Sequence, residues 1–291
     1  METKTNEIQL WKHYNATQIT NNSQQDQTQA FLKGKTPPVP KELQEQINAH
    51  PVKHDGEILY LDELKNNNIH LLHGKYSRTN YFNRTPEGHN KTQELNTYRA
   101  LSASTHVLLT AGDNNNPTIL YGTKTNQQNQ VSGFGGFPQA NTDYNTTDKH
   151  INLHQTIHNR LEPEITPEIA KHLTEVRALG ITYVNQPQLR GADMNFHAHI
   201  DADPKEVQAR FKENAQFKKH LYTTQLDANA INKLYEELTQ QKNTISPYAA
   251  GCATQAIHAY QGPKQARKFA KNIEEHLQKH IRFGKKAPYN T

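Results

Sequence analysis

The apolar residues of this chain come in short runs separated by polar stretches. Runs such as Ile58–Leu61 and Val107–Leu109 have the length of β-strands, whereas a helix that spans a bilayer needs about 20 predominantly apolar residues in succession. Only 33% of the 291 residues are hydrophobic, and the mean hydropathy is -0.95. We therefore expect a soluble protein with no membrane span, built from short strands and amphipathic helices of an α+β fold.

Cysteine content and composition bear on the compartment. Cys252 is the only cysteine, so no internal disulfide can form. The first residues lack the basic-then-apolar layout of a signal peptide. Runs of Asn, Gln and His resemble the composition of proteins that intracellular bacteria secrete into host cells. We expect either a cytoplasmic protein or a bacterial effector that is secreted into a host cell and has a host protein as partner.

The charge pattern bears on the class of ligand. The formal net charge is +5 with histidines neutral, and the sequence pI is about 9.0. Lys, Arg, Asp and Glu are interspersed along most of the chain, which indicates mild attraction to phosphorylated molecules rather than the concentrated basic surface of a nucleic-acid binder. We expect a phosphorylated small-molecule ligand and regard nucleic acid as unlikely.

Proline, glycine and apolar periodicity divide the chain into three parts. Residues 1–55 are predicted to be an extension with short helices, one of them over Glu7–Tyr14, and a proline-rich linker over Lys33–Pro40. Residues 56–205 are predicted to be an α/β core, and residues 206–291 a helical region. The triplet Gly34-Lys35-Thr36 lacks the first glycine of a phosphate loop, because position 29 is Gln29.

The core segment predicts strands first and helices afterwards. Thr105–Ala111 and Thr118–Thr123 flank a polar turn and predict a hairpin. One helix is expected over about 149–162. A second is expected from Pro167 to Leu179, because Ile169, Leu173, Val176 and Leu179 recur at helical spacing before Gly180. Strands over Ile181–Val184 and Met194–Ile200 follow.

This order of elements resembles the core of the Nudix hydrolase superfamily. In that family a strand that ends in a glycine pair leads into a loop, a helix and a second loop. Glutamates on the helix hold Mg²⁺ against a diphosphate. Ile119–Gly122 resembles the strand before the loop, Gly135 and Gly136 the glycine pair, and Gly180-Ile181 the end of the family motif. The resemblance covers about residues 100–205 and implies a Nudix-like mixed sheet with helices, followed by the helical C-terminal region.

The carboxylates of the family motif are largely missing. The pattern is G-x5-E-x7-R-E-U-x-E-E-x-G-U, where U is aliphatic. Anchored on Gly180-Ile181, its glutamate positions fall on Thr174, Arg177 and Ala178. A long insertion over about 137–165 also separates the glycine pair from the predicted helix. The chain is therefore identified as a degenerate member of the superfamily.

Other glutamates near this helix are candidate metal ligands. Glu168 and Glu175 are seven residues apart and would share a helix face, and Glu164 lies just before the helix. Oxygen ligands of this kind suit Mg²⁺ or Mn²⁺, which neutralise a diphosphate and activate water. In this hypothesis Glu168 and Glu175 are catalytic, and Arg177 contacts phosphate. A solvated helix face paired with Lys171 is the alternative interpretation.

Two groups of histidines are further candidates. His150, His154 and His158 are spaced for one side of a helix, which would allow a zinc site, although Gln155 replaces the general base of an H-E-x-x-H helix. His197 and His199 alternate on one strand face, where they are predicted to contact the ligand. Chance spacing in a histidine-rich chain and a polar strand face are the corresponding alternatives.

The resulting hypothesis is a divergent, metal-assisted Nudix-like hydrolase or binder. Its ligand would be a nucleoside-diphosphate-linked compound such as ADP-ribose or a nucleotide sugar. Gly135 and Gly136 would bind this ligand by shaping the loop at the edge of the site. The first alternative is a non-catalytic interaction protein or secreted effector on the same scaffold, which the missing carboxylates favour. The second is a histidine-based zinc site.

Overall fold

The structure is a computed structural model that describes residues 7–11, 14–18, 29–65, 68–90, 101–124, 130–132, 134–138, 143–144, 150–185, 190–213, 221–240 and 244–280. The fold is α+β, as predicted. The strands within these ranges are β1 (Glu7–Trp11), β2 (Tyr14–Gln18), β3 (Ala30–Lys35), β4 (Glu57–Lys65), β5 (Asn68–Lys75), β6 (Leu101–Ala111), β7 (Thr118–Lys124), β8 (Gln130–Ser132), β9 (Phe134–Gly136), β10 (His150–Ile151), β11 (Leu173–Asn185), β12 (Arg190–Ile200), β13 (Leu221–Gln225) and β14 (Thr244–Ile245). The helices are α1 (Lys41–Asn48), α2 (Tyr76–Arg84), α3 (Pro86–Asn90), α4 (Leu153–Leu161), α5 (Pro167–Ala170), α6 (Pro204–Glu213), α7 (Ala228–Gln240), α8 (Pro247–Gln261) and α9 (Pro263–His280).

The strands join into one mixed sheet with β6 as its hub. The order along the sheet is β1-β2-β11-β12-β6-β4-β5-β3-β10. β6 runs parallel to β12 and antiparallel to β4, β7 and β9. β3 runs parallel to β5. The long hairpin of β11 and β12 and the hub strand β6 therefore form the centre of the sheet.

Alternation along the central strands creates a core on each face of the sheet. Val107 and Leu109 of β6 pack with β12 and with the side chains of α4 and α5 on one face. Leu108 packs with α7, α8 and α9 on the other face. Because a strand turns successive side chains to opposite faces, helices cover both sides of β6 and β12. A separate small cluster joins α1 to α2 through Ile47 and Tyr81.

The helix predicted over Glu7–Tyr14 is wrong. β1 and β2 form an antiparallel hairpin there, and β2 pairs with β11 from Tyr14–Val184 to Gln18–Gly180. The predicted linker over Lys33–Pro40 is likewise partly a strand, because β3 pairs with β5. Strand pairing with residues far along the chain supplies hydrogen bonds that a local pattern does not reveal.

The helix predicted from Pro167 to Leu179 is also wrong. α5 ends at Ala170, and β11 begins at Leu173 and pairs with β12 on one side and β2 on the other. β-Branched residues such as Thr174 and Val176 fit the pleated backbone of a strand, and β11 is paired on both edges from Gly180 to Val184. Glu168 and Glu175 consequently lie on a helix and on a strand, and do not share a helix face.

The three histidines predicted along one helix are split between two elements. His150 belongs to β10, where its ring lies 4.8 Å from that of Phe31. α4 begins only at Leu153, and the Asn152 side chain caps it by accepting a hydrogen bond of 3.0 Å from the Gln155 amide. His154 and His158 remain four residues apart on α4.

Several other predictions are confirmed. The hairpin of β6 and β7 lies where the sequence predicts it, and the strand-length run Ile58–Leu61 lies within β4. In the part of the chain that the structure describes, no helix has the length and apolarity that crossing a bilayer requires. The division at residues 55 and 205 stays a prediction.

Candidate functional site

The glycine pair lies in β9, against the hub strand. Gly135 has φ of 131°, and a Cβ there would lie 2.8 Å from the carbonyl carbon of Thr105. Its amide donates a 3.3 Å hydrogen bond to Oε2 of Glu164, and the Gly136 amide donates one of 3.2 Å to Oγ1 of Thr105. Glycine is thus required at position 135 for close approach, and both amides already have acceptors within the chain.

The three glutamates predicted to bind metal occupy different environments. Glu164 is buried against β9, whereas Glu168 and Glu175 are exposed. The pKa of Glu168 is lowered by hydrogen bonds from its own amide and from the Thr166 side chain, so the carboxylate turns back onto the start of α5. Within the described ranges, no group of three His, Cys, Asp or Glu side chains is arranged to hold a metal ion.

Four of the predicted site residues do come together on the β11–β12 hairpin. Glu175 pairs with His199, and Arg177 pairs with His197. Directly paired residues share one face of a sheet, and here that face is the one beneath α8. The hairpin therefore brings together Glu175 and Arg177, which the sequence pattern predicts on a helix, with the two histidines, which it predicts on a separate strand.

The two histidines belong to a hydrogen-bonded chain that reaches the surface. The Tyr260 hydroxyl lies 2.5 Å from Nδ1 of His197, and Nε2 of His197 lies 2.7 Å from Oγ1 of Thr110. The same Thr110 oxygen lies 2.9 Å from Nδ1 of His199. Tyr260 is 40% exposed, and the guanidinium of Arg177 lies 5.4 Å from the centre of its ring. The hydrogen-bonded chain thus runs inward from solvent through Tyr260, His197, Thr110 and His199, which belong to α8, β12 and β6.

Burial sets the protonation states of His197 and Tyr260 in this hydrogen-bonded chain. It lowers the pKa of His197 to about 3, with further contributions from the neighbouring His199 and Arg177. It raises the pKa of Tyr260 to about 12, with a contribution from Glu175. At neutral pH His197 is therefore an uncharged imidazole and Tyr260 a protonated phenol.

The hydrogen-bonded chain ends at an unsatisfied atom. Nε2 of His199 is buried and has no hydrogen-bond partner among the described residues. The Thr110 hydroxyl has one proton, so it can donate to at most one of the two histidines. The Ala198 carbonyl, 3.4 Å from the same oxygen, is a third possible acceptor of that proton. Thr110 and Tyr260 complete the hydrogen-bonded chain, and neither belongs to a motif that the sequence reveals.

A cavity of about 300 Å³ lies elsewhere, where the parallel strands β3 and β5 end and α2 begins. Ligands of α/β sheets commonly bind at the carboxyl ends of strands. The cavity is lined by Lys35, Thr36, Pro37, Pro38, Val39, Gln44, Ile47, Glu57, His73, Gly74, Lys75, Ser77 and Arg78. None of these is a predicted site residue, although Lys35 and Thr36 belong to the triplet that lacks the first glycine of a phosphate loop.

Cations dominate the lining of the cavity. Arg78 is buried, and its Nη1 donates a 2.7 Å hydrogen bond to the Pro37 carbonyl. Burial lowers the pKa of its guanidinium, but arginine stays charged in proteins. Lys35 and Lys75 are exposed at the rim. The single lining carboxylate, Glu57, has Oε2 3.3 Å from Nδ1 of the buried His73.

Comparison with known proteins gives distant structural likenesses only. No family model matches the sequence, and no curated protein matches it. The chain is similar to the NUDIX domain of Shewanella oneidensis NrtR complexed with ADP ribose, with 13% identity, a TM-score of 0.30, and coverage of 63% of this chain and 97% of that one. It is also similar to Shewanella oneidensis NrtR complexed with a 27mer DNA, with 14% identity, a TM-score of 0.26, and coverage of 60% and 82%. At these TM-scores the likeness does not establish a shared fold, and the Nudix-like core stays a prediction.

Proposed function

We propose that this chain binds a phosphorylated small molecule in the cavity between β3, β5, α1 and α2. A nucleoside-diphosphate-linked compound of the ADP-ribose or nucleotide-sugar type is the proposed ligand class. The observation that carries the proposal is the convergence of Lys35, Lys75 and Arg78 on one concave site. Arginine and lysine side chains are the usual partners of phosphate in proteins.

The charge of the cavity matches that of the proposed ligand. The three cations and the one carboxylate, Glu57, give the lining a formal charge of +2 with His73 neutral. A diphosphate diester and a phosphate monoester each carry about two negative charges at neutral pH. The hydroxyls of Thr36 and Ser77 supply uncharged donors in the same wall.

The proposed phosphate affinity does not depend on the backbone amides at the start of α2. The Ser77 amide already donates a 2.7 Å hydrogen bond to Oδ1 of Asp55, and the Tyr76 amide donates to the Gly56 carbonyl at 3.1 Å. The first amides of the helix thus have acceptors within the chain. The lysine and arginine side chains remain as the source of phosphate affinity.

Binding, rather than metal-assisted cleavage, is the form of the function that the carboxylates favour. Mg²⁺-dependent diphosphate cleavage needs carboxylates that converge on the phosphate. Glu164 accepts a hydrogen bond from Gly135, while Glu168 and Glu175 are exposed on different elements. Among the described lining residues, Glu57 is the only carboxylate at the cavity.

Calorimetry with ADP-ribose, a nucleotide sugar and ribose 5-phosphate, in the presence of a chelator, tests the proposal. We expect saturable binding of at least one of them. Replacing both rim lysines (Lys35→Gln, Lys75→Gln) is expected to weaken it roughly tenfold or more, since a hydrogen bond to a charged group contributes about 1.5–3 kcal/mol. Lys53→Gln, which changes an exposed lysine outside the cavity, is the matched control.

Two results contradict the proposal. Binding that is absent for every compound, or equal in the double variant and the control, removes the cavity as the site. Turnover of a ligand with Mg²⁺ or Mn²⁺ that disappears in Glu175→Gln, measured by product chromatography, would instead favour the hydrolase hypothesis.

A further inference from the structure

We infer that Glu57 makes the cavity selective for phosphorylated compounds that carry hydroxyl groups beside the phosphate, such as sugar and polyol phosphates. The inference rests on the proposed function, because it concerns the same cavity. It adds a class of substrate and the residue that selects it: the cations would hold the phosphate, and the carboxylate would recognise the neighbouring hydroxyls.

Glu57 lies directly beside the cationic wall. It is the first residue of β4 and pairs across the sheet with Lys75, the last residue of β5. Both side chains line the cavity. The Glu57 side chain is 31% exposed, so it is accessible to a ligand that occupies the cavity.

In the ranges that the structure covers, the Glu57 carboxylate makes no ion pair with Lys35 or Lys75. Its Oε2 lies 3.3 Å from Nδ1 of His73. The His73 ring is 5% exposed, and its Nδ1 contacts Oε2 without an aligned hydrogen bond. Glu57 thus lies at the cavity wall beside the buried imidazole, and its other carboxylate oxygen has no donor among the described residues.

The chemistry of a carboxylate distinguishes hydroxyls from phosphate. An ionised carboxylate only accepts hydrogen bonds, and so does a phosphate dianion, so the two repel each other. A hydroxyl donates and satisfies the carboxylate. A site that needed only a phosphate would bind it more tightly without Glu57.

Glycerol 3-phosphate and propyl phosphate make a matched pair of probes, because they have similar sizes and differ in their hydroxyl groups. We expect the wild-type protein to bind glycerol 3-phosphate about tenfold more tightly, the effect of one hydrogen bond to a charged group. Calorimetry at one ionic strength measures both dissociation constants. This comparison needs no variant and is unaffected by folding defects.

Glu57→Gln is expected to change the two affinities in opposite directions. Propyl phosphate should bind about threefold more tightly or better, because a unit negative charge a few ångströms away is removed. Glycerol 3-phosphate should bind more weakly, because a charged acceptor becomes a neutral one. Glu63→Gln, on the same strand but bonded to Lys33 at 2.6 Å outside the cavity, should leave both constants unchanged.

The outcomes separate this inference from the proposed function. If neither probe binds and the nucleotide compounds also fail, the proposed function is wrong. If both probes bind the wild-type protein equally, or if Glu57→Gln weakens both, the selectivity of Glu57 is refuted while phosphate binding stands. The preference for glycerol 3-phosphate together with opposite shifts in the variant supports it.

Discussion

Replacing Gly251 by alanine tests how closely α8 packs on the sheet. A Cβ at this position would overlap Oγ1 of Thr182 on β11 and would lie 2.7 Å from its Cγ2 and 2.9 Å from its Cβ. Thr182 is fully buried, and its Cβ is rigidly attached to the strand, so the added methyl group can be accommodated only if α8 moves away from the sheet.

Two effects of opposite sign determine the size of the change. Alanine is about 1 kcal/mol more favourable than glycine within a helix. Overpacking a core typically costs about 1–3 kcal/mol, and movement of α8 would also stretch the 2.7 Å bond from Asn195 to Gln255. We therefore expect Gly251→Ala to lower the free energy of unfolding by roughly 2 kcal/mol, since the overlap involves a strand-attached atom rather than the end of a flexible chain.

Urea unfolding followed by circular dichroism measures this change. Gly56→Ala is the control, because a Cβ at Gly56 would meet no atom within 4 Å. Thr182→Ala removes the overlapping atoms, so the double variant should be more stable than the sum of the single changes predicts, by about 1–3 kcal/mol of coupling. A Gly251→Ala protein as stable as the wild type would show that α8 does not pack as closely as the structure indicates.

Two further predictions concern His197 and its partners. Because the pKa of His197 is lowered to about 3 in the folded protein, the unfolded state binds more protons below pH 6.5, and this group's contribution to stability is lost as pH falls from 6.5 towards 3. Urea midpoints over that range should decline less steeply in His197→Asn; equal slopes would contradict the lowered pKa. Tyr260→Phe removes the hydroxyl that lies 2.5 Å from Nδ1 of His197, and we expect a loss of about 1–3 kcal/mol for the unpaired buried nitrogen, measured by urea unfolding against Tyr76→Phe. A loss no greater than that of the control would exclude this role.

The sequence predicts those elements whose patterns are local. The polar turn between Thr105–Ala111 and Thr118–Thr123 leads to the observed hairpin of β6 and β7, and the alternation of His197 and His199 fits the observed strand β12. The segment from Leu173 to Leu179 misleads, because its apolar residues happen to recur at helical spacing. Its conformation is decided by β12, which pairs with it from Leu173 onward, while β2 pairs with the continuation of the same strand from Gly180 to Val184. Tertiary contacts of this kind override local preference.

The candidate site is less predictable than the fold because its parts are distant in sequence. The cavity combines residues 35–47 with Glu57 and residues 73–78, which the pairing of β3, β4 and β5 brings together. The alternation of His197 and His199 does predict that they share a strand face. It does not indicate that α8 covers this face or that Tyr260 and Thr110 complete the hydrogen-bonded chain.

Asn195 and His197 form a polar row on β12. This row provides a physical reason why α8 takes one position along the sheet. Asn195 donates to Gln255 at 2.7 Å, and His197 lies 2.5 Å from Tyr260. The five-residue step from 255 to 260 spans about 7.5 Å along a helix, and the two-residue step from 195 to 197 spans about 6.7 Å along a strand. The two steps are similar in length, and both bonds form at the observed position of α8.

The polar row adds to the steric restriction at Gly251, where α8 packs closely on Thr182. The side of α8 that packs on the sheet also contains small residues such as Ala250, Ala253 and Ala256. A slide of one residue would break the bonds from Asn195 to Gln255 and from Tyr260 to His197, at a cost of about 1–3 kcal/mol for each buried polar atom left unpaired. The polar row therefore restricts α8 to the position in which Tyr260 covers His197.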